Sequence, residues 1–274
     1  MTQLKEISVK TQKLAPFLDD PALLKHLKWY DEVDSTNNLA KEAARRGAPD
    51  GTIIFADAQT AGRGRMGRSF FSPDSSGIYV TVLYRPEKNP LLPPFVTMAA
   101  CVCTARAIAA CCGEEPAIKW VNDLYLHGRK ICGILTEAGA NPGSHSLDYV
   151  VVGIGINLYP PEQGFPEDIR TIAGPVIHRP APDPDLRLRV MAALTANLTG
   201  LSAATSPAPY IGDYRRLSMV TGKTVTLSGG EALTGTACGF TDEGHLMVRT
   251  ADGETHTISS GEISLLIDRD HPSC

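Results

Sequence analysis

The chain has 274 residues, 43% of them hydrophobic and 20% charged, enough to bury one large core or two unequal ones. A formal net charge of -4 and a pI near 6.0 exclude the dominant basic face that a dedicated nucleic-acid binder presents to phosphates. No stretch reads as a membrane span or a secretory leader, so a cytoplasmic location is expected.

Asp20 and Pro21, followed by Leu23, Leu24 and Leu27, predict a capped first helix, after which residues 31–34 form a loop. A second helix begins at Ser35 or Thr36 and carries Leu39, Ala40, Ala43 and Ala44 at helical spacing. It ends before Gly47, where a left-handed cap fits. Residues 52–58 read as an apolar strand. Ile78, Val80, Val82 and Tyr84 alternate with other residues up to Pro86, which predicts a strand with one face on a core.

Residues 94–112 form an Ala-rich helix bearing Cys101, Cys103, Cys111 and Cys112. Neither C-x-C nor C-C is the spacing of a zinc or redox site, so these four of the seven cysteines read as small buried hydrophobes. Strands at 117–121 and 131–137 flank a turn at 127–129, and 148–156 is a further apolar strand. A proline-rich excursion, 159–185, leads into a helix over 185–201.

From residue 223 the texture changes to short β-type runs at 225–227, 233–240, 246–250, 255–258 and 263–267, separated by tight turns such as Ser228-Gly229-Gly230. The order of elements predicts an α+β fold: a mixed, largely antiparallel sheet with helices over residues 1–217, then a small β-barrel over 218–274.

Several nucleotide and hydrolase signatures are missing. Gly222-Lys223-Thr224 lacks the upstream glycine of a phosphate-binding loop because position 217 is Leu217, and Gly153-Ile154-Gly155 lacks a third glycine because position 158 is Leu158. No G-x-S-x-G or H-E-x-x-H occurs.

What the chain does carry is Gly62-Arg63-Gly64-Arg65-Met66-Gly67-Arg68 directly after a strand. Glycines give a ligand access to bare peptide N–H groups, and arginines offer charged forks for carboxylate and phosphate. The motif is single and lies between strand-like segments, unlike a disordered RNA-binding tract. A second constellation is Lys119-Trp120-Val121-Asn122-Asp123 with Arg129-Lys130; alone, its parts are an ordinary turn and an ordinary hairpin tip. A third, Gly153 to Asn157, is equally a buried strand with glycines where another backbone packs.

Together, Ser35-Thr36-Asn37, Gln59 with the arginine loop, residues 119–123 with 130–135, residues 153–157 and the terminal barrel resemble biotin protein ligases, in order from Trp29 to Ile267. The resemblance implies a class II synthetase-like catalytic domain with an SH3-like barrel. It also implies the family's activity: biotin and ATP form biotinyl-5′-AMP, and the biotinyl group passes to one lysine of a carboxylase's biotin carboxyl carrier domain.

The implied biotin contacts are Ser35, Thr36, Asn37, Gln59, Arg63, Gly64, Arg65, Lys130 and Gly133, and the implied nucleotide contacts are Arg65, Arg68, Phe70, Lys119, Asn122, Asp123 and Asn157. Arg63, Arg65 and Lys130 are the implied catalytic cations; Mg²⁺ accompanies ATP without a dedicated protein site. From the resemblance alone, homodimerisation is expected, and the cysteines are bystanders.

Met66, Val121 and Phe70 depart from the residues many relatives carry there. Some relatives also have a DNA-binding domain of about sixty residues; about thirty residues precede Asp31 here, so no repressor function and no DNA partner is expected. The competing readings are a lipoate or octanoate ligase of the same fold and a non-catalytic biotin-responsive regulator.

Overall fold

The computed structural model describes residues 9–86, 93–140, 147–178, 183–204, 206–228 and 233–265. Along the chain run α1 (Val9–Gln12), β1 (Leu27–Val33), α2 (Thr36–Arg45), β2 (Thr52–Gln59), β3 (Gly77–Tyr84), α3 (Pro93–Cys112), β4 (Ala117–Lys119), β5 (Asp123–Leu126), β6 (Arg129–Ala140) and β7 (Leu147–Asn157). Then follow α4 (Leu186–Thr199), α5 (Ala208–Arg216), β8 (Thr224–Ser228), β9 (Thr234–Phe240), β10 (Leu246–Arg249), β11 (Thr255–Ile258) and β12 (Glu262–Leu265). The expected turn at Gly229-Gly230 and the last two residues of the fifth barrel run, Leu266 and Ile267, lie outside the described residues.

Seven strands form one sheet in the order β1-β2-β3-β7-β6-β5-β4, parallel between β1 and β2 and antiparallel elsewhere. Both faces are covered. Helix α2 packs with Ile54, Leu83, Tyr149 and Val151 on one side, while α3 packs with Phe55, Val80, Val82 and Val152 on the other. Strand β3 therefore has all eight residues buried, where alternation had suggested a single buried face. Its odd and even positions feed two different cores.

Helix α3 is apolar all round because it is enclosed by the sheet, α4 and α5. It satisfies the length and hydropathy of a membrane span, contrary to the reading of the sequence, but 72% of that window is buried inside the fold. Its threonines return their hydroxyls to the helix: Thr104 Oγ1 donates to Ala100 O at 2.7 Å.

Three local expectations change. A 3-10 turn, Pro21–His26, takes the place of the first helix: Asp20 caps the Ala22 N–H at 2.9 Å, and Leu27 already belongs to β1. Residues 31–33, expected in a loop, end β1 in parallel register with β2, with Glu32 opposite Ala58. As an edge strand it tolerates exposed acids, and Asp31 pairs with Lys10. Half-buried Asp57 binds α1, β1 and α4 together through Lys10, Trp29 Nε1 (2.9 Å) and Arg187 (2.9 Å). Burial alone would raise its carboxyl pKa; these partners hold it below the ordinary value. Helix α5 was not foreseen.

The other five strands form an antiparallel sheet in the order β11-β10-β9-β8-β12. Its apolar side joins the main core. Phe240 stacks edge-on against Tyr214 at 5.1 Å between centroids, and Arg215 donates to Phe240 O at 2.8 Å. The edge residue Glu262 thereby comes beside the arginine loop.

Burial raises the thiol pKa of Cys101 and Cys132 well above the ordinary value and that of Cys103 to about 12. In the folded protein these three thiols should resist an aromatic disulfide reagent while exposed Cys238 reacts, and all should react after urea unfolding. Prompt labelling of Cys101, Cys103 or Cys132 before unfolding would contradict this packing.

Candidate active site

The register of the sheet creates a bare strip on the α2 side. Tyr79 of β3 lies opposite Gly155 of β7, Gly155 opposite Gly133 of β6, and Gly133 opposite Asp123 of β5. One row further on, Thr81 lies opposite Gly153 and Gly153 opposite Leu135. With no side chains at 133, 153 and 155, the floor is open to groups from other elements.

Two side chains use that opening. A Cβ at Gly155 would lie 2.5 Å from Phe70 Cε1, and a Cβ at Gly133 would lie 3.3 Å from Phe70 Cε2, so the Phe70 ring rests across both glycines. A Cβ at Gly153 would overlap Asn37 Oδ1. The glycines thus make room for opposing side chains, where the sequence had suggested an opposing backbone.

Above this floor is a cleft of about 920 Å³, open mouth included. It brings together Ser35, Thr36, Asn37, Gln59, Arg63, Gly64, Arg65, Arg68, Phe70, Lys119, Asn122, Asp123, Lys130 and Gly133, residues spread over almost a hundred positions.

Asn157 is the exception. It is 9% exposed and turns away from the cleft: its Nδ2 donates to Gly174 O at 3.3 Å and reaches Lys130 O at 3.5 Å. The excursion after β7 explains this. Lys130 N donates to Ile172 O at 2.8 Å and Gly174 N to Lys130 O at 3.0 Å, so Ala173 pairs with Lys130 in an isolated parallel bridge.

One wall of the cleft is uncharged and polar. Ser35 occupies the N-cap position of α2 without making a side-chain cap; Gln59, at the end of β2, accepts from the Thr36 N–H at 2.9 Å and from Thr36 Oγ1 at 3.1 Å. Gln59 Nε2 donates to Ser72 Oγ at 2.8 Å. The Thr81 hydroxyl is 2.8 Å from Thr36 Oγ1 and 2.7 Å from Asn37 Oδ1, and Asn37 Nδ2 donates to Leu135 O and Glu137 Oε2. Thr36, Asn37 and Gln59 are each already oriented by a neighbour.

The other walls are cationic. The loop is a closed turn, with Gly64 N donating to Arg68 O at 2.7 Å and Arg68 N to Arg65 O at 3.1 Å. Met66 sits at its tip in the left-handed region, φ 54°, and is 68% exposed. Its place at the tip explains why a departure from the residue many relatives carry there leaves the turn intact.

Arg63 binds Asn38 Oδ1 (2.8 Å) and Glu137 (3.2 Å). Burial would raise the Glu137 carboxyl pKa, but Asn37, Lys41 and Arg63 hold it below the ordinary value. Arg65 donates to Asn122 Oδ1 at 3.1 Å and to Gly261 O at 2.9 Å, and Arg68 grips Glu262 with both nitrogens at 2.6 and 2.8 Å. Lys130 Nζ lies 2.7 Å from Asp123 Oδ1.

Five cations and two carboxylates, Asp123 and Glu262, line the cleft. The excess of cations suits a polyanion. Among the described residues, the buried Trp120 Nε1 of this lining has no hydrogen-bond partner, whereas the buried Asp123 Oδ1 has the Lys130 ammonium beside it. No three His, Cys, Asp or Glu side chains of the described residues converge as a metal cage.

Glu262 and Gly261 were missed from sequence. They lie almost two hundred residues from the loop they bind, and nothing in the local pattern of β12 signals the contact.

Comparison with known proteins agrees with this arrangement. Residues 29–157 match the biotin/lipoate A/B protein ligase family, and residues 220–266 match the biotin protein ligase C-terminal domain. The bifunctional ligase/repressor BirA of Bacillus spizizenii is 39% identical over 148 residues, 54% of this chain and 45% of that one; the chain spans about half the length of such relatives. A biotin–acetyl-CoA-carboxylase ligase of Mycobacterium tuberculosis is 30% identical over 241 residues, 85% of this chain and 86% of its own.

Among solved structures, the Aquifex aeolicus biotin protein ligase in complex with biotin and ATP superposes with a TM-score of 0.68 at 28% identity, covering 88% of this chain and 98% of that one. With the two matched segments in chain order and a relative 30% identical over 86% of its own length, the chain belongs to the biotin protein ligase family.

Proposed function

We propose that the protein is an ATP-dependent biotin ligase: it joins biotin to ATP as biotinyl-5′-AMP, releases pyrophosphate, and passes the biotinyl group to a lysine of a carboxylase's biotin carboxyl carrier domain. The observation that carries this reading is one cleft with an uncharged polar wall, an apolar floor and a cationic wall. A ureido ring needs neutral donors and acceptors, which Ser35, Thr36, Asn37 and Gln59 offer. A thiophane and its alkyl chain need the surface of Phe70 over Gly133 and Gly155. A carboxylate that must approach a phosphate needs cations, which Arg63, Arg65 and Lys130 supply.

In the first step a biotin carboxylate oxygen bonds to the α-phosphorus as the bond to pyrophosphate breaks. The two reactants are both anionic, so the cleft must offset their repulsion and hold them in line. Arg65 and Lys130 are held in place by Asn122, Gly261 O and Asp123, so little reorganisation accompanies the reaction. In the second step a lysine amine attacks the acyl carbon and AMP leaves. Neither step needs an enzyme nucleophile, consistent with thiols that burial keeps protonated.

Arg68, Lys119, Asn122 and Asp123 are the proposed nucleotide contacts. Asn157 acts instead behind Lys130. Mg²⁺ carried in by ATP would supply charge neutralisation for the departing pyrophosphate, with Asp123, already paired with Lys130, and Glu262 as the carboxylates of the lining. The neutral polar wall favours biotin over lipoate or octanoate, whose distal ends have no ureido group to satisfy it. A cytoplasmic location and a biotin carboxyl carrier substrate belong to the same proposal.

Biotin-dependent exchange of pyrophosphate into ATP tests the reading. Exchange should appear with biotin and be absent with lipoate or octanoate, and Lys130→Ala should lower it by about 10²–10³-fold. Exchange supported by octanoate and not by biotin would overturn the assignment.

The closed loop also covers the mixed anhydride. Arg65→Gly, which removes the contacts to Asn122 and Gly261, should retain measurable exchange while biotinyl-5′-AMP leaves faster in a dissociation assay and labels bystander lysines. Equal retention by both proteins would contradict a covering role.

A further inference from the structure

The barrel contributes a carboxylate to a corner otherwise built for anions. Glu262, the first residue of β12, accepts both Arg68 nitrogens at 2.6 and 2.8 Å, the fork geometry a phosphate would use. Its carboxyl pKa is lowered first by the hydrogen bond from Arg68, against a smaller opposing effect of burial, and then by the charges of Arg68, Lys119 and Arg65. The neighbouring Gly261 carbonyl accepts from Arg65 at 2.9 Å.

A second observation points to a missing acceptor in the same lining. Trp120 is 3% exposed, its indole ring reaches toward Gly261, and its Nε1–H has no acceptor among the described residues. A buried donor left without a partner is costly, and an anionic oxygen would satisfy it.

We propose that Glu262 is a resident anion that holds the loop against the barrel, and that the polyphosphate of the nucleotide displaces it from Arg68 on binding. The inference rests on the ATP-dependent reading above. It assigns the C-terminal sheet a direct part in nucleotide affinity: the carboxylate competes with phosphate for one guanidinium, so the closed loop and the bound nucleotide share the same cation. The pair is weak enough to exchange. Arg68 is 67% exposed and Glu262 32%, and ion pairs at such exposure are readily replaced by a more highly charged partner.

The test uses the full-length chain, with a non-hydrolysable ATP analogue titrated calorimetrically into wild type and Glu262→Gln. Glu262→Gln should bind the analogue about two- to fivefold more tightly, a gain that shrinks at high salt, while affinity for biotin changes less. Limited trypsin digestion of Glu262→Gln should cut at residues 63–68 faster than in wild type and be suppressed by the analogue.

Glu254→Gln removes the same charge from the turn between β10 and β11, at the opposite side of the sheet order, and should reproduce neither effect. Unchanged or weaker analogue binding by Glu262→Gln, or an equal gain in Glu254→Gln, would overturn the proposal. A wild-type protein that binds no analogue and shows no exchange would overturn the ATP-dependent reading itself, which separates the two failures.

Discussion

The structure depends on a strip of missing side chains. Gly133 and Gly155 face each other across β6 and β7, and Gly153 lies one row away, all on the sheet face that α2 covers elsewhere. Where α2 meets the sheet, Ala40, Ala44, Ile54, Leu83 and Val151 fill the interface to close packing. Beyond the start of the helix the side chains stop, and the same face becomes a floor. The N-terminal end of α2, the arginine loop and the β5–β6 hairpin then border a cleft.

Each border is fixed by a contact to another element. Gln59 caps the Thr36 N–H, Glu137 draws in Lys41 and Arg63, Asn122 bridges Arg65 to Ile134 O, and Asp123 holds Lys130. The cations are therefore pre-oriented by neutral carbonyls or single carboxylates, each a modest interaction that a ligand anion can outcompete. Such a site combines order with exchangeability, which a reaction between two anions requires. The core on the other face, with α3 enclosed among the sheet, α4 and α5, supplies the rigidity behind it.

Much of this was legible in the sequence because it is local. The arginine loop, the 119–123 and 130–135 segments and the alternation of β3 each reveal themselves within ten residues. What stayed hidden was set at long range. The exposed Asp31 and Glu32 concealed β1, which forms because β2 offers a parallel partner. Pro207 and Gly212 masked α5, whose Tyr210, Ile211 and Tyr214 are stabilised by packing, with Tyr214 buried against Phe240. Asn157 looked like a ligand contact at a strand end, but the excursion that follows it folds back and takes its side chain toward Gly174 and Lys130. Glu262 could not be paired with Arg68 by any sequence pattern.

The central claim is that ligand and Phe70 share the floor over Gly133 and Gly155. Calorimetric titration of biotin into Gly155→Ala tests it most directly, because the three atoms nearest the added Cβ all belong to the Phe70 ring. Overpacking of about 1–3 kcal/mol corresponds to a loss of roughly 5- to 150-fold in biotin affinity, with an unfolding transition that remains cooperative. Wild-type affinity in Gly155→Ala would show that the glycine floor does not form the binding surface.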